Sequence, residues 1–301
     1  MVILISGASG FIGVRLVERL AADGCNVIAL TRSKAFDTLP SSPRIKWITV
    51  DLTKDDLDLD GLPKIDAVIH LAGATLGAGG NESLFLHTNE LTTVRLLEML
   101  ARRTNRFIFA SSQAVYGDAR NLAVTEDAPT QPNGSAYACS KLNSENWLQW
   151  FQKRHGGQYI VLRFCGFIEG GGIVDYLLDQ ALIGKDIELF SEGGVHRDYL
   201  PVGDAINAIT AALDYKVNPI YLPVNIGSGQ AVSAYELAII VCNELKSSSQ
   251  IKLIKKESPQ GDFVFCIDLA RQLFNFQPSH LINAVSQYAK YRQKKYMAGE
   301  L

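Results

Sequence analysis

Residues 2–20 constrain the fold of this chain more than any other stretch. Val2 to Ile5 form a short, continuous apolar run, as expected of a strand buried on both faces of a parallel sheet. Gly7, Gly10 and Gly13 follow directly, and Ile12, Leu16, Val17 and Leu20 then recur at helical spacing. A strand, a glycine turn and a helix in that order cradle a dinucleotide pyrophosphate. The glycines let the turn tighten and the backbone approach, and the helix N-terminus directs N–H groups at the anion. The triplet Gly7-x-x-Gly10-x-x-Gly13 is weak alone, because ordinary strand-to-helix turns also use glycine. Its place between a readable strand and a readable helix points to nucleotide binding, with Phe11 and Ile12 beside the glycines.

Strand and helix patterns then alternate. Strands are predicted at Asn26 to Leu30, Lys46 to Val50, Ala67 to Leu71, Phe107 to Ala110 and Tyr159 to Phe164. Helices are predicted at about Ser83 to Arg103 and Tyr137 to His155. After Phe164 the alternation lapses. A helix is expected over Ile173 to Ile183, and a return strand at Val224 to Gly227. A capping box at Ser233-Ala-Tyr-Glu236 opens a further helix to about Leu245. Short strands are expected at Ile187 to Phe190 and Ile251 to Ile254, and closing helices near Asp268 to Phe274 and His280 to Tyr291. The fold class is therefore α/β: a Rossmann-type doubly wound parallel sheet with a smaller C-terminal substrate-binding lobe. Residues 1–165, with the return strand near 221–227, make the dinucleotide-binding domain, and 166–301 mainly the second lobe. Ligands of open α/β sheets bind at the carboxyl edge, so the cleft between lobes is expected to hold the substrate.

Composition excludes several partners. A formal net charge of −2 gives no general attraction to nucleic acid or acidic membranes. The five cysteines show no metal-ligand spacing and read as reduced thiols, so a cytoplasmic protein without a bound metal is expected. No leader is read at Met1, and no apolar run is long enough to span a bilayer.

The candidate chemistry sits between Ala110 and Lys141. Ser111 and Ser112 end the fifth strand, and Tyr137-Ala-Cys-Ser-Lys141 opens the next helix with Tyr137 and Lys141 one turn apart on one face. A phenol with a pKa near ~10 is a poor acid or base at neutral pH, and a neighbouring ammonium lowers it toward a working range. Ser112 could hold a substrate carbonyl or alcohol against the tyrosine. A surface helix whose tyrosine and lysine merely pack would carry the same spacing.

Taken together these residues resemble the extended short-chain dehydrogenase/reductase family, which includes nucleotide-sugar epimerases, dehydratases and 4-ketoreductases. The resemblance rests on Gly7-x-x-Gly10-x-x-Gly13, Asp51-Leu52, His70-Leu-Ala-Gly73, Ser111-Ser112 with Val115-Tyr-Gly117, and Tyr137-x-x-x-Lys141. It extends through Arg197-Asp-Tyr199 with Val202 and Asp204, then Val224-Asn-Ile-Gly-Ser-Gly229 and the run from Asp268 to Pro278. It implies that Tyr137 is the acid/base and that Lys141 steadies it while bonding the nicotinamide ribose. It further implies that Ser112 bonds the reacting oxygen and that Asp51 and Leu52 flank the adenine. Leu71, Ala72 and Gly73 would line the cofactor beyond its pyrophosphate. Asp51 could instead cap a turn, and His70 reads as a packed strand residue. Arg197 is the candidate grip on a substrate diphosphate, with a salt bridge to Asp198 or Glu192 as its plainer reading. Tyr199 and Val202 are expected to pack. Members of this family often dimerise through the two long helices, and Trp147, Trp150 and Phe151 lie on more than one side of the second, so a homodimer is expected.

The departures shape the expected reaction. Gln113-Ala114 stands where a dehydratase of this family carries Asp-Glu, which disfavours loss of water. Gly166-Phe167 replaces a frequent Asn and Tyr-Gly-Pro, which changes the usual UDP grip. The second strand ends Leu30-Thr31-Arg32-Ser33 without the carboxylate that binds a ribose 2′-hydroxyl in NAD-selective folds. Arg32, helped by Ser33 or Lys34, could hold the 2′-phosphate of NADP, or simply be a solvated arginine. The resulting expectation is NADP(H)-dependent reduction of a keto group, C4 for preference, on a nucleotide-activated sugar, NAD(H) remaining possible as cofactor. A 4-epimerase with bound NAD and a non-catalytic nucleotide sensor are the alternatives.

Overall fold

The computed structural model describes residues 1–300 except 33–37, 76, 78, 80, 119, 120, 133, 218 and 258–260. Two compact units emerge. The first comprises Met1–Gly117, Pro129–Phe164 and Ile206–Val224; the second comprises Asp118–Ala128, Cys165–Ala205 and Asn225–Leu301.

The first unit is built on a seven-stranded sheet. Strands β1 (Val2–Ser6), β2 (Asn26–Thr31), β3 (Ile45–Thr49), β4 (Ala67–His70) and β5 (Arg106–Ser112) are joined by Gln158–Phe164 and Ile220–Ile226. From one edge the order is Ile220–Ile226, Gln158–Phe164, β5, β4, β1, β2, β3. The pairings of β1 with β2 and β4, of β2 with β3, and of β5 with β4 and Gln158–Phe164 are parallel. Chain order reverses between β1 and β4, which opens a crevice at their carboxyl ends and makes the doubly wound fold expected from the alternation. β1 and Gln158–Phe164 are almost wholly buried along their length, which explains the apolar runs Val2–Ile5 and Tyr159–Leu162 within them. Leu4, Ile28, Val68, Leu96, Leu97, Phe107 and Val161 share one core on this sheet.

Helix α1 (Phe11–Ala22) buries Gly13, Leu16, Val17 and Leu20, the predicted stripe less Ile12, which is only partly covered. The predicted helix over Ser83 to Arg103 is less regular than its pattern. An α-helical turn at Glu82–Phe85 passes into a π-helical stretch at Leu86–Leu91 and returns to α-helix at Thr92–Leu100. The next helix, Ala136–His155, starts at Ser135, whose hydroxyl caps it by accepting from the Ala138 N–H at 3.2 Å.

The second unit holds a four-stranded sheet in the order Val232–Ser233, His196–Arg197, Phe263–Phe265, Asn121–Val124. Its core joins Val174, Leu177 and Leu178 of Ile173–Leu182 to Leu237 and Val241 of Ala234–Leu245 and Val285 of Leu281–Met297. The capping box read at Ser233 and Glu236 is complete. Ile187–Leu189 and Ile251–Leu253 form where short strands are expected, whereas helix Val202–Asp214 and the strands Asn121–Val124, Gly166–Phe167, His196–Arg197, Tyr199–Leu200, Val232–Ser233 and Phe263–Phe265 lie outside the predicted elements, the strands being too short to leave a period. Among the described residues no helix is long and apolar enough to cross a membrane.

Candidate active site

The carboxyl ends of β1 to β4 converge on a cleft of about 590 Å3. Gly7, Gly10, Arg32, Asp51, Leu52, Leu71, Ala72 and Gly73 line it, all read from sequence as cofactor contacts. Ser9, Leu30, Thr31, Val50, Thr53, Ala74, Thr75, Leu84, Thr88 and Thr92 line it as well and had no signal beyond their neighbours. Phe11, Ile12 and Gly13 lie behind the rim, in the first turn of α1. Gly7 adopts φ +71°, and a Cβ there would come within 2.6 Å of the Ala72 nitrogen. A Cβ on Gly13 would lie 2.2 Å from the Gly7 carbonyl oxygen. Gly10 caps α1 without any side-chain hydrogen bond. The turn is thus a bare backbone cradle at a helix N-terminus, and it fits a dinucleotide pyrophosphate.

At the other side of the cleft, Ala74 is held by Asn89. Its Oδ1 accepts from the Ala74 N–H at 2.6 Å, and its Nδ2 donates to the Ala74 carbonyl at 3.2 Å and to Ser140 Oγ at 3.0 Å. Asn89 lies in the π-helical stretch, and the expectation of one regular helix missed it; such stretches recur at functional sites. His70 is buried, with Nδ1 2.6 Å from Ser6 Oγ and Nε2 2.8 Å from Thr93 Oγ1. Burial, reinforced by the charge of Lys141, pushes its pKa down to about 3, so it is a neutral packed residue.

Ser112, Tyr137 and Lys141 come together at the end of β5. Ser112 accepts from the Ala114 N–H at 3.2 Å, and its hydroxyl lies near enough to the Tyr137 phenol to act on its proton affinity. Phe85 meets the Tyr137 ring edge-on at 5.9 Å. Lys141 is buried, donates to the Ala110 carbonyl at 2.8 Å, and holds its ammonium 4.9 Å above the Phe109 ring. Burial pulls Lys141 down to about 8, against the opposing pull of Glu145. Tyr137 departs from the expected direction. Burial raises its pKa, and the nearby Ser112 hydroxyl offsets only part of this by favouring the phenolate.

Asp51 combines its two readings. Its carboxylate lines the cleft and also accepts from the Thr53 hydroxyl at 2.7 Å and N–H at 3.1 Å, the turn-capping role. Those bonds lead the effects that lower its pKa, with weaker help from Lys54 and Arg32. Arg197 belongs to the second unit, where Nη1 donates to the Gly261 carbonyl at 2.8 Å and the guanidinium lies 5.5 Å from the Phe263 ring centre. Among the described residues no ion pair joins it to Asp198 or Glu192. Asp198 instead accepts from Ser228 N–H and Oγ, Gly229 N–H and Phe265 N–H.

Comparison with known proteins extends this picture. Residues 3–227 match the NAD dependent epimerase/dehydratase family. A UDP-glucose 4-epimerase of Mycolicibacterium smegmatis is 28% identical over 69% of this chain and 72% of its own. The crystal structure of a Bacillus cereus UDP-glucuronic acid 4-epimerase with UDP-glucuronic acid and NAD superposes with a TM-score of 0.85. Its identity is 25%, over 99% of this chain and 100% of the other. MoeE5 in complex with UDP-glucose and NAD superposes with a TM-score of 0.83 at 26% identity, over 98% and 100%.

These findings correct two expectations. The preference for NADP(H) is overturned because the related structures hold NAD. The expected keto-sugar reduction is overturned with it, since the relatives compared are mainly 4-epimerases. The physical reason lies at the end of β2. Arg32 is exposed, and the rim it occupies also carries the ionised Asp51, so charge of both signs stands where a 2′-phosphate would need cations alone. Ser33 and Lys34, its supposed helpers, lie outside the described residues. With the glycine cradle, the doubly wound sheet and the Ser112–Tyr137 pair in one unit, the chain belongs to the NAD dependent epimerase/dehydratase family.

Proposed function

We propose that this protein is a nucleotide-sugar 4-epimerase that keeps NAD bound through its cycle. The observation that carries the reading is the Ser112 hydroxyl beside the Tyr137 phenol in the same unit as the glycine cradle, together with likeness to 4-epimerases that hold NAD. Gly7, Gly10, Phe11, Ile12 and Gly13 would hold the pyrophosphate, Asp51 and Leu52 the adenosine end, and Leu71, Ala72 and Gly73 the stretch toward the nicotinamide. Held there, NAD supplies reversible hydride acceptance at the sugar carbon.

The side chains supply the proton chemistry. The Tyr137 oxygen takes the proton from the sugar 4-hydroxyl and returns it once the keto sugar has turned its other face. Ser112 donates to the same oxygen and so favours the phenolate. Lys141 contributes an ammonium toward the ribose and the charge developing nearby. Arg197 is the proposed anchor for the diphosphate, through two parallel hydrogen bonds.

The test is to denature purified protein and identify what is released. Stoichiometric NAD, with interconversion of UDP-hexoses and no net cofactor consumption, is expected. Release of NADP, or turnover that consumes NADPH one for one, overturns the reading.

A homodimer is proposed alongside. Leu86, Trp147 and Trp150 are 51%, 37% and 46% exposed on the two long helices, more apolar surface than a lone helix pair needs to show. Light scattering at micromolar concentration checks it, and a monomer counts against it. The free thiols of all five cysteines suit a cytoplasmic setting, which cell fractionation can contradict.

A further inference from the structure

One turn beyond Lys141, the helix Ala136–His155 places Glu145 in the interior, with 1% of its surface exposed. Three donors hold its carboxylate. Ser111 Oγ donates to Oε1 at 2.5 Å, Arg163 Nε to Oε1 at 3.1 Å and Arg163 Nη2 to Oε2 at 2.7 Å. Arg163, itself buried, donates through Nη1 to the Tyr116 hydroxyl at 2.7 Å. The cluster therefore ties the residue before Ser112, the turn after it, the strand Gln158–Phe164 and the helix of Tyr137 and Lys141. A buried pair of this kind adds little net stability over a hydrophobic replacement, which directs attention to what its charge acts on.

Among the described residues, these groups face Lys141. β5 offers the Ala110 carbonyl and the Phe109 ring, β4 the neutral His70, and the stretch after β4 the backbone of Gly73. From its own helix the opposing charge is Glu145. Behind Glu145 stand Arg163 and Tyr221, the phenol of which is raised chiefly by burial, further by Glu145, and lowered by Arg163.

We propose that Glu145 is a positioning residue that acts through Lys141. Its carboxylate, fixed by Ser111 and Arg163, keeps the buried lysine in its ammonium form where Tyr137 and the cofactor ribose need it. The proposal deepens the epimerase reading and rests on it for the use made of Lys141, but the charge state of Lys141 is measurable without turnover.

The experiment follows the side-chain signals of carbon-13-labelled lysine by NMR from pH 6 to 11, with the Lys141 signal assigned by its loss in Lys141→Met. Wild-type Lys141 should titrate near pH 8. Glu145→Gln, equal in shape but uncharged, should lower that midpoint by roughly one to two pH units. Glu145→Asp, shorter but charged, should keep it near the wild-type value. A purely structural role predicts the reverse order, because Gln preserves the packing and Asp disturbs it. Where Glu145→Gln strands Arg163 and fails to fold, the double variant Glu145→Gln/Arg163→Gln removes the stranded guanidinium as well and should still lower the midpoint. A folded variant lacking the carboxylate whose Lys141 titrates as in the wild type overturns the proposal. UDP-hexose turnover is measured separately, so that absence of epimerase activity in wild-type protein counts against the function and not against the pairing.

Discussion

At Gly13 a single methyl group would sit 2.2 Å from a carbonyl oxygen, whereas at Lys141 a whole ammonium group is taken into the interior and held. The first region works by lacking side chains, so its rule is steric and local. The second works by burying charged and hydroxyl groups, so its rule is electrostatic and depends on what the rest of the unit packs around them. Glycine spacing in a sequence therefore says nearly all there is to say about the cradle. The spacing of Tyr137 and Lys141 says only that they share a helix face.

The sharpest break of this comparison is at Tyr137. Tyr137→Phe keeps the ring and its edge-on contact with Phe85 but removes the transferable proton. Turnover should fall about 10²–10⁴-fold while bound NAD is retained, read by steady-state kinetics beside cofactor release. Turnover within tenfold of wild type would remove Tyr137 from the chemistry.

The steric region is tested next. Gly13→Ala forces a Cβ against the Gly7 and Ala8 carbonyl oxygens, and should cost about 1–3 kcal/mol and most of the cofactor retention. Chemical denaturation and NAD content measure the two effects. An unchanged denaturation midpoint would mean that the turn is slacker than its distances imply.

A smaller effect tests the electrostatic rule away from the chemistry. His70 titrates near 6.5 when exposed and about 3 when buried, so the unfolded chain binds its proton first. Its contribution is complete above about pH 6.5 and declines as pH falls toward 3, by about 2 kcal/mol at pH 5. His70→Gln should flatten that acid dependence in unfolding curves taken at pH 7 and pH 5. An equally steep dependence in the variant would place the acid sensitivity elsewhere.

The smallest effect is expected at Arg32. Exposed and sharing its rim with Asp51, it should give Arg32→Ala less than about a threefold change in NAD affinity by titration calorimetry. A larger loss would restore it as a cofactor contact.

Much of the fold was legible because its elements are periodic. β1, β2 and Gln158–Phe164 each hold a continuous apolar stretch of four residues, and the Ser233–Glu236 box marks its helix start from four residues. The strands His196–Arg197, Val232–Ser233 and Phe263–Phe265 of the second unit offer too few residues to set a pattern, and the helix Val202–Asp214 also lies outside the predicted elements. In the site, Gly7, Gly10, Arg32, Asp51, Leu52, Leu71, Ala72 and Gly73 of the cleft lining followed from strand ends, while Asn89 stayed hidden inside what looked like one regular helix.

By itself the sequence determined the strand–glycine–helix unit, the doubly wound order and the residues that meet at the strand ends. Those follow from periodicity and from the steric demands of glycine, which act between near neighbours along the chain. Tertiary structure alone decided the charges. It raised Tyr137 by burial, lowered Lys141, made His70 neutral, set Asp51 across the rim from Arg32, and closed Glu145, Arg163 and Ser111 into one network from segments up to fifty-odd residues apart. Proton affinity depends on the dielectric and the partners around a group, and those are assembled only when distant strands and helices pack together.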